Sequence, residues 1–257
     1  MKPKSIGFIG GGRITKIVLQ SFLNKNVEFP SIKVFDINTD SLAELKRLFP
    51  AIETAEAIDK IAGQEIIFIA LHPPVIGETV ASLKDHINGD AVIISLAPKI
   101  TIEKLSALTG SEHIVRMIPN ATSYINKGYN PVCFSAGFNE SEKISILDLL
   151  KILGITFETE ENKLEAYAIV SAMLPTYFWF QWKEMEEIAT EIGLSKTEGR
   201  EAIFETLNAA LDLIYNSGMY YEEVTDLIPV KPIAQNESDI KQILQSNLIS
   251  LHNKIKP

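Results

Sequence analysis

A single cysteine, Cys133, in 257 residues leaves no intrachain disulfide framework and fits a reducing compartment. In Pro-Val-Cys-Phe-Ser it reads as a strand residue whose role is packing. Basic residues are in deficit: 24 Lys and Arg stand against 33 Asp and Glu, a net charge of −9, with no long basic block. That excludes nucleic acid as the main partner, because phosphate binding needs clustered Lys and Arg. Long apolar runs are missing too. The most apolar stretch, 167–182, is too short for a bilayer and contains Ser171, Pro175, Thr176 and Gln181, so no membrane partner is expected. Lys2 and Lys4 precede an apolar run that glycine breaks early, with no cleavage site behind it. No secretory signal is expected, and the expected location is cytoplasmic. No His-x-x-x-His or Cys-x-x-Cys spacing suggests a metal.

What is present is a globular composition, 46% hydrophobic and 22% charged, with enough apolar material for a real core. The chain is organised around its start. Ile6-Gly7-Phe8-Ile9 is an apolar run. Gly10-Gly11-Gly12 follows, and then Arg13 and Ile14 open a helical spacing of Ile14, Ile17, Val18 and Phe22. Strand, glycine turn and helix in that order suit a dinucleotide pyrophosphate. Glycine lets the backbone approach the phosphates, and the helix start offers N–H groups and a positive dipole end. Gly10 and Gly12 fill the first two positions of G-x-G-x-x-G/A, and Thr15 stands where a third Gly or Ala is usual. Gly10, Gly11, Gly12, Arg13 and Ile14 are therefore candidate cofactor contacts, Arg13 as a phosphate partner.

A second apolar run, 31–35, ends at Asp36. A carboxylate at that distance from the turn can accept hydrogen bonds from the adenosine ribose and repels a 2′-phosphate, which favours NAD over NADP. Alternatively Asp36 starts a turn, with Asn38 and Thr39 placed to bond a phosphate, so the cofactor is NAD or NADP. Continuous apolar runs at 66–71 and 91–97 read as strands buried on both faces. A short strand near 51–53, a helix over 56–62, and strands at 113–118, 132–135 and 155–158 complete the pattern. Strands alternating with helices predict a mostly parallel sheet. Ligands gather at the carboxyl ends of such strands. Leu71, His72, Pro73 and Ala97 thereby join the candidate cofactor contacts.

Near residue 160 the texture changes to helix throughout. The expected fold class is α/β, with a mostly parallel sheet domain at 1–159 and an all-α domain at 160–257. Pro175 is expected to kink a long helix over 164–192. Ser195-Lys196-Thr197-Glu198 is a capping box. Tyr167, Val170, Met173, Leu174, Phe178 and Trp182 crowd one segment, and a homodimer or higher homo-oligomer is the natural way to bury them.

Three stretches resemble pyrroline-5-carboxylate reductases. Residues 6–14 are similar to the family's IGFIGxGxM start. Arg116, Pro119 and Asn120 match its R-x-M-P-N-T-P segment, and Val170, Ser171, Pro175 and Tyr177 match its VSGSGPAY. The resemblance covers roughly residues 5 to 227. It implies a Rossmann-type domain joined to a helical dimerisation domain, and hydride transfer from a reduced nicotinamide to a small cyclic imine. Asn120, Ser171 and Thr176 would then be the polar groups at the substrate. A protonated imine is already electrophilic, so such a site mainly positions it and excludes water. The chain departs from the family where SPGGTT should follow Leu227. Ile228-Pro229-Val230-Lys231-Pro232-Ile233-Ala234 stands there instead, and Met173 and Leu174 replace a Ser and a Gly. Two alternatives stay open. One is a related oxidoreductase for a 2-oxo or 3-hydroxy acid, with His72 or Lys99 as proton donor. The other is a dinucleotide-binding dimer without catalysis.

Overall fold

The computed structural model describes residues 4–257, the side chains of Pro73 and Pro74 excepted. The chain divides into two compact units, one running to Ala172 and including Leu251–Pro257, the other Met173–Ser250.

The first unit alternates strand and helix. In chain order these are β1 (Ile6–Ile9), α1 (Arg13–Asn24), β2 (Ile32–Phe35), α2 (Thr39–Leu48), β3 (Glu53–Thr54), α3 (Asp59–Ala62), β4 (Ile66–Ile69), α4 (Pro73–Ala81), β5 (Val92–Ser95), α5 (Ile102–Thr109), β6 (Ile114–Met117), β7 (Gly128–Phe134), α6 (Glu140–Leu150), β8 (Gly154–Glu158) and α7 (Leu164–Tyr167). The strands form one sheet in the order β3-β2-β1-β4-β5-β6-β7-β8. All neighbours are parallel except β6 and β7. The expected mostly parallel sheet is thus present. β1, β4, β5 and β6 are buried along their whole length because apolar clusters cover both faces. Ile66 and Phe68 of β4 pack in one cluster with Val18, Phe22, Leu42 and Ile146, while Ile69 of the same strand packs in another with Ile76, Val80 and Leu105. Such two-sided burial removes the alternation of a half-exposed strand and leaves a continuous apolar run.

Local expectations differ in two places. The strand expected at 51–53 lies at Glu53–Thr54, and the following helix starts at Asp59. Ile52 instead closes a turn, its N–H donating to Phe49 O, and the Lys46 ammonium bonds the carbonyls of Pro50 and Ile52. Pro175 does not kink a helix from within. It occupies the first turn of α8 (Leu174–Glu191), where its missing N–H has no helical acceptor to lose. The interruption lies upstream, in a π-helical turn at Ala168–Ala172.

The second unit holds α8, α9 (Lys196–Asn216), α10 (Tyr221–Asp226) and most of α11 (Glu237–Ile255). α8 and α9 form a hairpin through the turn at Gly193, φ +109°, and the Ser195–Glu198 capping box is formed. They meet small on small at one point: a Cβ on Gly199 would stand 2.9 Å from that of Ala189. Those two are the buried residues of 173–250. Phe180 is 67% exposed, Trp179 49% and Phe204 64%.

Arg116 is the largest fully buried side chain of the first unit. It sits in β6 in register with Ser95 of β5 and Cys133 of β7. One guanidinium nitrogen meets Glu161 at 2.9 Å, the other Glu165 at 2.5 Å, and Glu165 is as buried as the arginine. Glu161 also accepts the Ile102 N–H at 2.7 Å. The cluster ties β6 and the start of α5 to the segment that enters α7 and the π turn. Cys133 beside it is pushed up to about 12, by burial first and by the Glu161 charge second, and stays a neutral packing thiol. Removing the cation should cost far more than removing the cluster. Arg116→Ala leaves the Glu165 carboxylate buried without a partner and should lower the unfolding free energy by about 3–5 kcal/mol. In urea denaturation the neutral, space-filling pair Arg116→Met with Glu165→Leu should lose markedly less. Equal losses would show that charge is not what the cluster balances.

Candidate active site

Strand order places β1 between β2 and β4, where the chain's direction of winding reverses. Ligand crevices in open α/β sheets form outside the strand ends at that point. The glycine turn lies there. Gly10 donates its N–H to Phe35 O at the end of β2. Its φ of +106° is one that L side chains rarely adopt, and a Cβ on it would stand 2.5 Å from Ala70 O and 3.3 Å from Leu71 Cδ2. Gly12 faces the other way: a Cβ there would meet nothing within 4 Å. The backbone at Gly12 is thus open where a phosphate must approach, and closed behind it at Gly10.

Thr15 explains the imperfect fingerprint. Its hydroxyl, fully buried, donates to Gly10 O at 2.6 Å and pins the turn from inside the helix. Gly12 is the N-cap of α1 and no side chain caps that helix, whereas Asn38, Thr101 and Asn139 cap α2, α5 and α6. The first N–H groups of α1, at Arg13 and Ile14, have no intrahelical acceptor. They and the dipole end suit an anion. Arg13 is exposed at this end, and Ile14 packs partly against the core. Gly11 differs: its N–H donates to Asp36 Oδ2 at 2.6 Å.

The other expected cofactor residues stand at the ends of the next strands. Leu71 is half-buried after β4, and His72 is the exposed N-cap residue of α4, without a side-chain capping bond. Pro73 begins α4, and its side chain lies outside the described residues. Ala97 is buried just past β5. Lys99, two residues on, is exposed with φ +68°. The N-termini of α1 and α4 and the ends of β2, β4 and β5 therefore line one edge of the sheet.

Asn120 follows β6 on the same edge and is brought together with Ser171. Asn120 Nδ2 donates to Ser171 Oγ at 3.2 Å and to Ser171 O at 3.3 Å. Its Oδ1 accepts from the N–H and hydroxyl of Thr122, and its own N–H donates to Asn130 Oδ1. The Ser171 hydroxyl donates to Tyr129 O at 3.3 Å. Asn120 is thus engaged at every polar atom of its side chain and holds Ser171, in the π turn, against the end of β6. Ser171 Oγ, half-buried, keeps a lone pair for a ligand. Single π turns recur at functional sites because they reposition one residue without ending the helix. Thr176 belongs to the second unit, exposed, with its hydroxyl on Met173 O at 2.7 Å. The sequence did not single out Asn130, wholly buried, whose amide nitrogen has no partner among the described residues. Nor did it reveal the Arg116 cluster, although Glu161 and Glu165 at a spacing of four, beyond an arginine in an apolar strand, were its signal.

Fold and turn together define an α/β domain of the dinucleotide-binding kind. A family model described as NADP oxidoreductase, coenzyme F420-dependent, matches residues 5–99, the stretch that carries the turn, Asp36, Leu71, His72 and Ala97. Over most of its length the chain is similar to pyrroline-5-carboxylate reductases. Pyrroline-5-carboxylate reductase 2 of Bacillus subtilis is 25% identical over 246 residues, 95% of this chain and 88% of that protein. The Escherichia coli enzyme is 23% identical, over 88% of this chain and 84% of its own. A pyrroline carboxylate reductase of Plasmodium falciparum, solved with NADP bound, shares the fold with a TM-score of 0.85 at 19% identity, covering 100% of this chain and 98% of that one.

Gly10→Ala tests the turn. The added methyl collides with Ala70 O, so nicotinamide dinucleotide affinity, read by titrating cofactor fluorescence, should fall by roughly a hundredfold or more. Gly12→Ala points its methyl into open space and should cost much less unless a ligand occupies that space. Similar mild losses in both would disprove the asymmetric cradle.

Proposed function

We propose that this chain is an NAD(P)H-dependent reductase of the pyrroline-5-carboxylate reductase type, acting on the C=N bond of a small cyclic imine. The observation that carries the proposal is the Asn120–Ser171 contact at 3.2 Å, which sets a hydroxyl at the carboxyl edge of the sheet that also bears the glycine turn. The cradle at Gly10 and Gly12 and the uncapped start of α1 fit a pyrophosphate, held by Arg13, Ile14 and their N–H groups. Bound there, a reduced dinucleotide supplies a hydride from its nicotinamide ring. The protein's own work is positional. Asn120 fixes Ser171, Ser171 offers its remaining lone pair to an iminium N–H, and Leu71 and Ala97 contribute apolar surface that excludes water. No general acid is required, because reduction of an iminium leaves a neutral amine and not an alkoxide.

The residue roles of Asn120, Ser171 and Thr176 belong to this proposal, as do the division into a cofactor domain at 1–159 and a substrate domain at 160–257, and the cytoplasmic location. So does assembly: the apolar surface of 173–250 supports a homodimer or larger homo-oligomer, because few of its large side chains find cover within the unit. The replacement of a Ser-Gly pair by Met173 and Leu174, together with the apolar 228–234 segment, supports an imine less polar than pyrroline-5-carboxylate as an alternative substrate.

NADH and NADPH oxidation should be followed with pyrroline-5-carboxylate and with cyclic imines lacking the carboxylate. Turnover on at least one is expected, and Ser171→Ala should cut kcat/KM by roughly tenfold or more. Turnover confined to keto acids and abolished by His72→Ala or Lys99→Ala would replace the imine assignment. Cofactor binding without turnover on any substrate would leave a non-catalytic protein. Sedimentation should give a mass of at least two chains, and a monomer at micromolar concentration would refute the assembly.

A further inference from the structure

Building on the proposed dinucleotide-dependent reduction, we infer that Asp36 makes this chain select NADH over NADPH, as a carboxylate locked in place by the glycine turn itself. The lock has two bonds on two different oxygens. Oδ2 accepts the Gly11 N–H at 2.6 Å, and Oδ1 accepts the Asn38 N–H at 2.8 Å. Together they fix both side-chain torsions. Asn38 is immobilised in turn, because its own Oδ1 accepts the N–H groups of Asp40 and Ser41 and caps α2. The loop after β2 is therefore a single hydrogen-bonded unit.

A carboxylate has about four acceptor directions, and two of them remain open on Asp36. Ribose hydroxyls are donors and can take these. A 2′-phosphate is an acceptor-only anion that would stand against a fixed negative charge. It could not push that charge aside without breaking the Gly11 bond and loosening the turn that receives the pyrophosphate. The loop itself brings no cation to offset this. From 36 to 45 the chain contains no Lys or Arg and adds Asp40 and Glu44. Lys16 is paired with Glu44 at 3.1 Å, and the Lys46 ammonium is held by the carbonyls of Pro50 and Ile52. Arg13, exposed, opens α1 directly after the glycine turn. Asn38 has its carbonyl oxygen committed to the helix cap, and its neutral amide N–H2 brings no positive charge to a 2′-phosphate. The matched family is described by NADP and the Plasmodium structure holds NADP, so a preference for NADH would set this chain apart from both.

The test is direct binding to the full-length chain without substrate, by titrating NADH and NADPH against cofactor fluorescence. NADPH should bind at least roughly tenfold more weakly. Asp36→Asn keeps an oxygen for the Gly11 N–H and deletes the charge, so it should close most of that gap, chiefly by tightening NADPH. The wild-type protein supplies a check that needs no variant: the gap should narrow as salt rises from about 0.05 M to about 0.5 M, because the penalty is electrostatic. NADPH bound as tightly as NADH by the wild type would overturn the inference, and so would a gap that neither Asp36→Asn nor salt changes. Failure of both dinucleotides to bind would overturn the inference and the cofactor assignment together. Selective NADH binding without imine turnover would sustain the inference and remove only the proposed reaction.

Discussion

The site depends on one close approach of backbone to backbone. At Gly10 the end of β1 bends away under the carbonyl of Ala70, leaving 2.5 Å where a side chain would have to begin. Every feature of the crevice follows from that fit. The bend frees the chain to enter α1 two residues past Gly11, and this puts an uncapped helix start over the sheet edge. The Gly10 carbonyl, turned inward, would be a buried unsatisfied acceptor, and the Thr15 hydroxyl meets it. A third glycine or alanine at that position would allow closer helix packing but leave the carbonyl bare. The departure from the common fingerprint is a different local solution to the same turn.

The Arg116 cluster is a second constraint, of opposite character. Where the turn is enforced by sterics, the cluster is enforced by charge: an arginine in the middle of a sheet is tolerable only with its carboxylates in place. Both carboxylates come from the segment after β8, so the charge balance dictates where that segment runs. The π turn and Ser171 follow directly from it, and Asn120 then receives Ser171 from the β6 side. The geometry of the candidate substrate hydroxyl is thus set twice, by an ion cluster below it and by an amide beside it.

Most of the nucleotide half was legible because its signals are local. The glycine triplet, the apolar runs of β4 and β5 and the acidic residue after β2 each arise within a few residues. The capping box at Ser195 was readable for the same reason, since three residues suffice to form it. What escaped is non-local. The reversal of β7 against β6 depends on pairing across a connection containing a 3₁₀ turn, and no pattern inside Gly128–Phe134 announces direction. The register that sets Ser95, Arg116 and Cys133 in a row is a property of three strands at once. Pro175 misled because a helix-breaking residue and a helix-starting residue look alike until the neighbouring turn is known.

The helical unit poses the remaining physical problem. Helices gain most of their stability from burying an apolar face, and isolated ones are marginal in water. Here α8 carries Phe178, Trp179, Phe180 and Trp182 within a turn and a half, so aromatic rings point to several sides at once. One neighbouring helix, packed through Ala189 and Gly199, covers one side only. The contact between two small residues lets the backbones approach but buries little area of its own. Packing helices through small residues while leaving Trp179 and Trp182 part-exposed forgoes stability that covering those rings would add. The first half of α8, aromatic and aliphatic, suits the second copy proposed above, whereas Lys183, Glu184, Glu187 and Glu191 leave its second half charged and exposed. A self-complementary interface would also explain why the sequence spends so much hydrophobicity after residue 172 without building an internal core there.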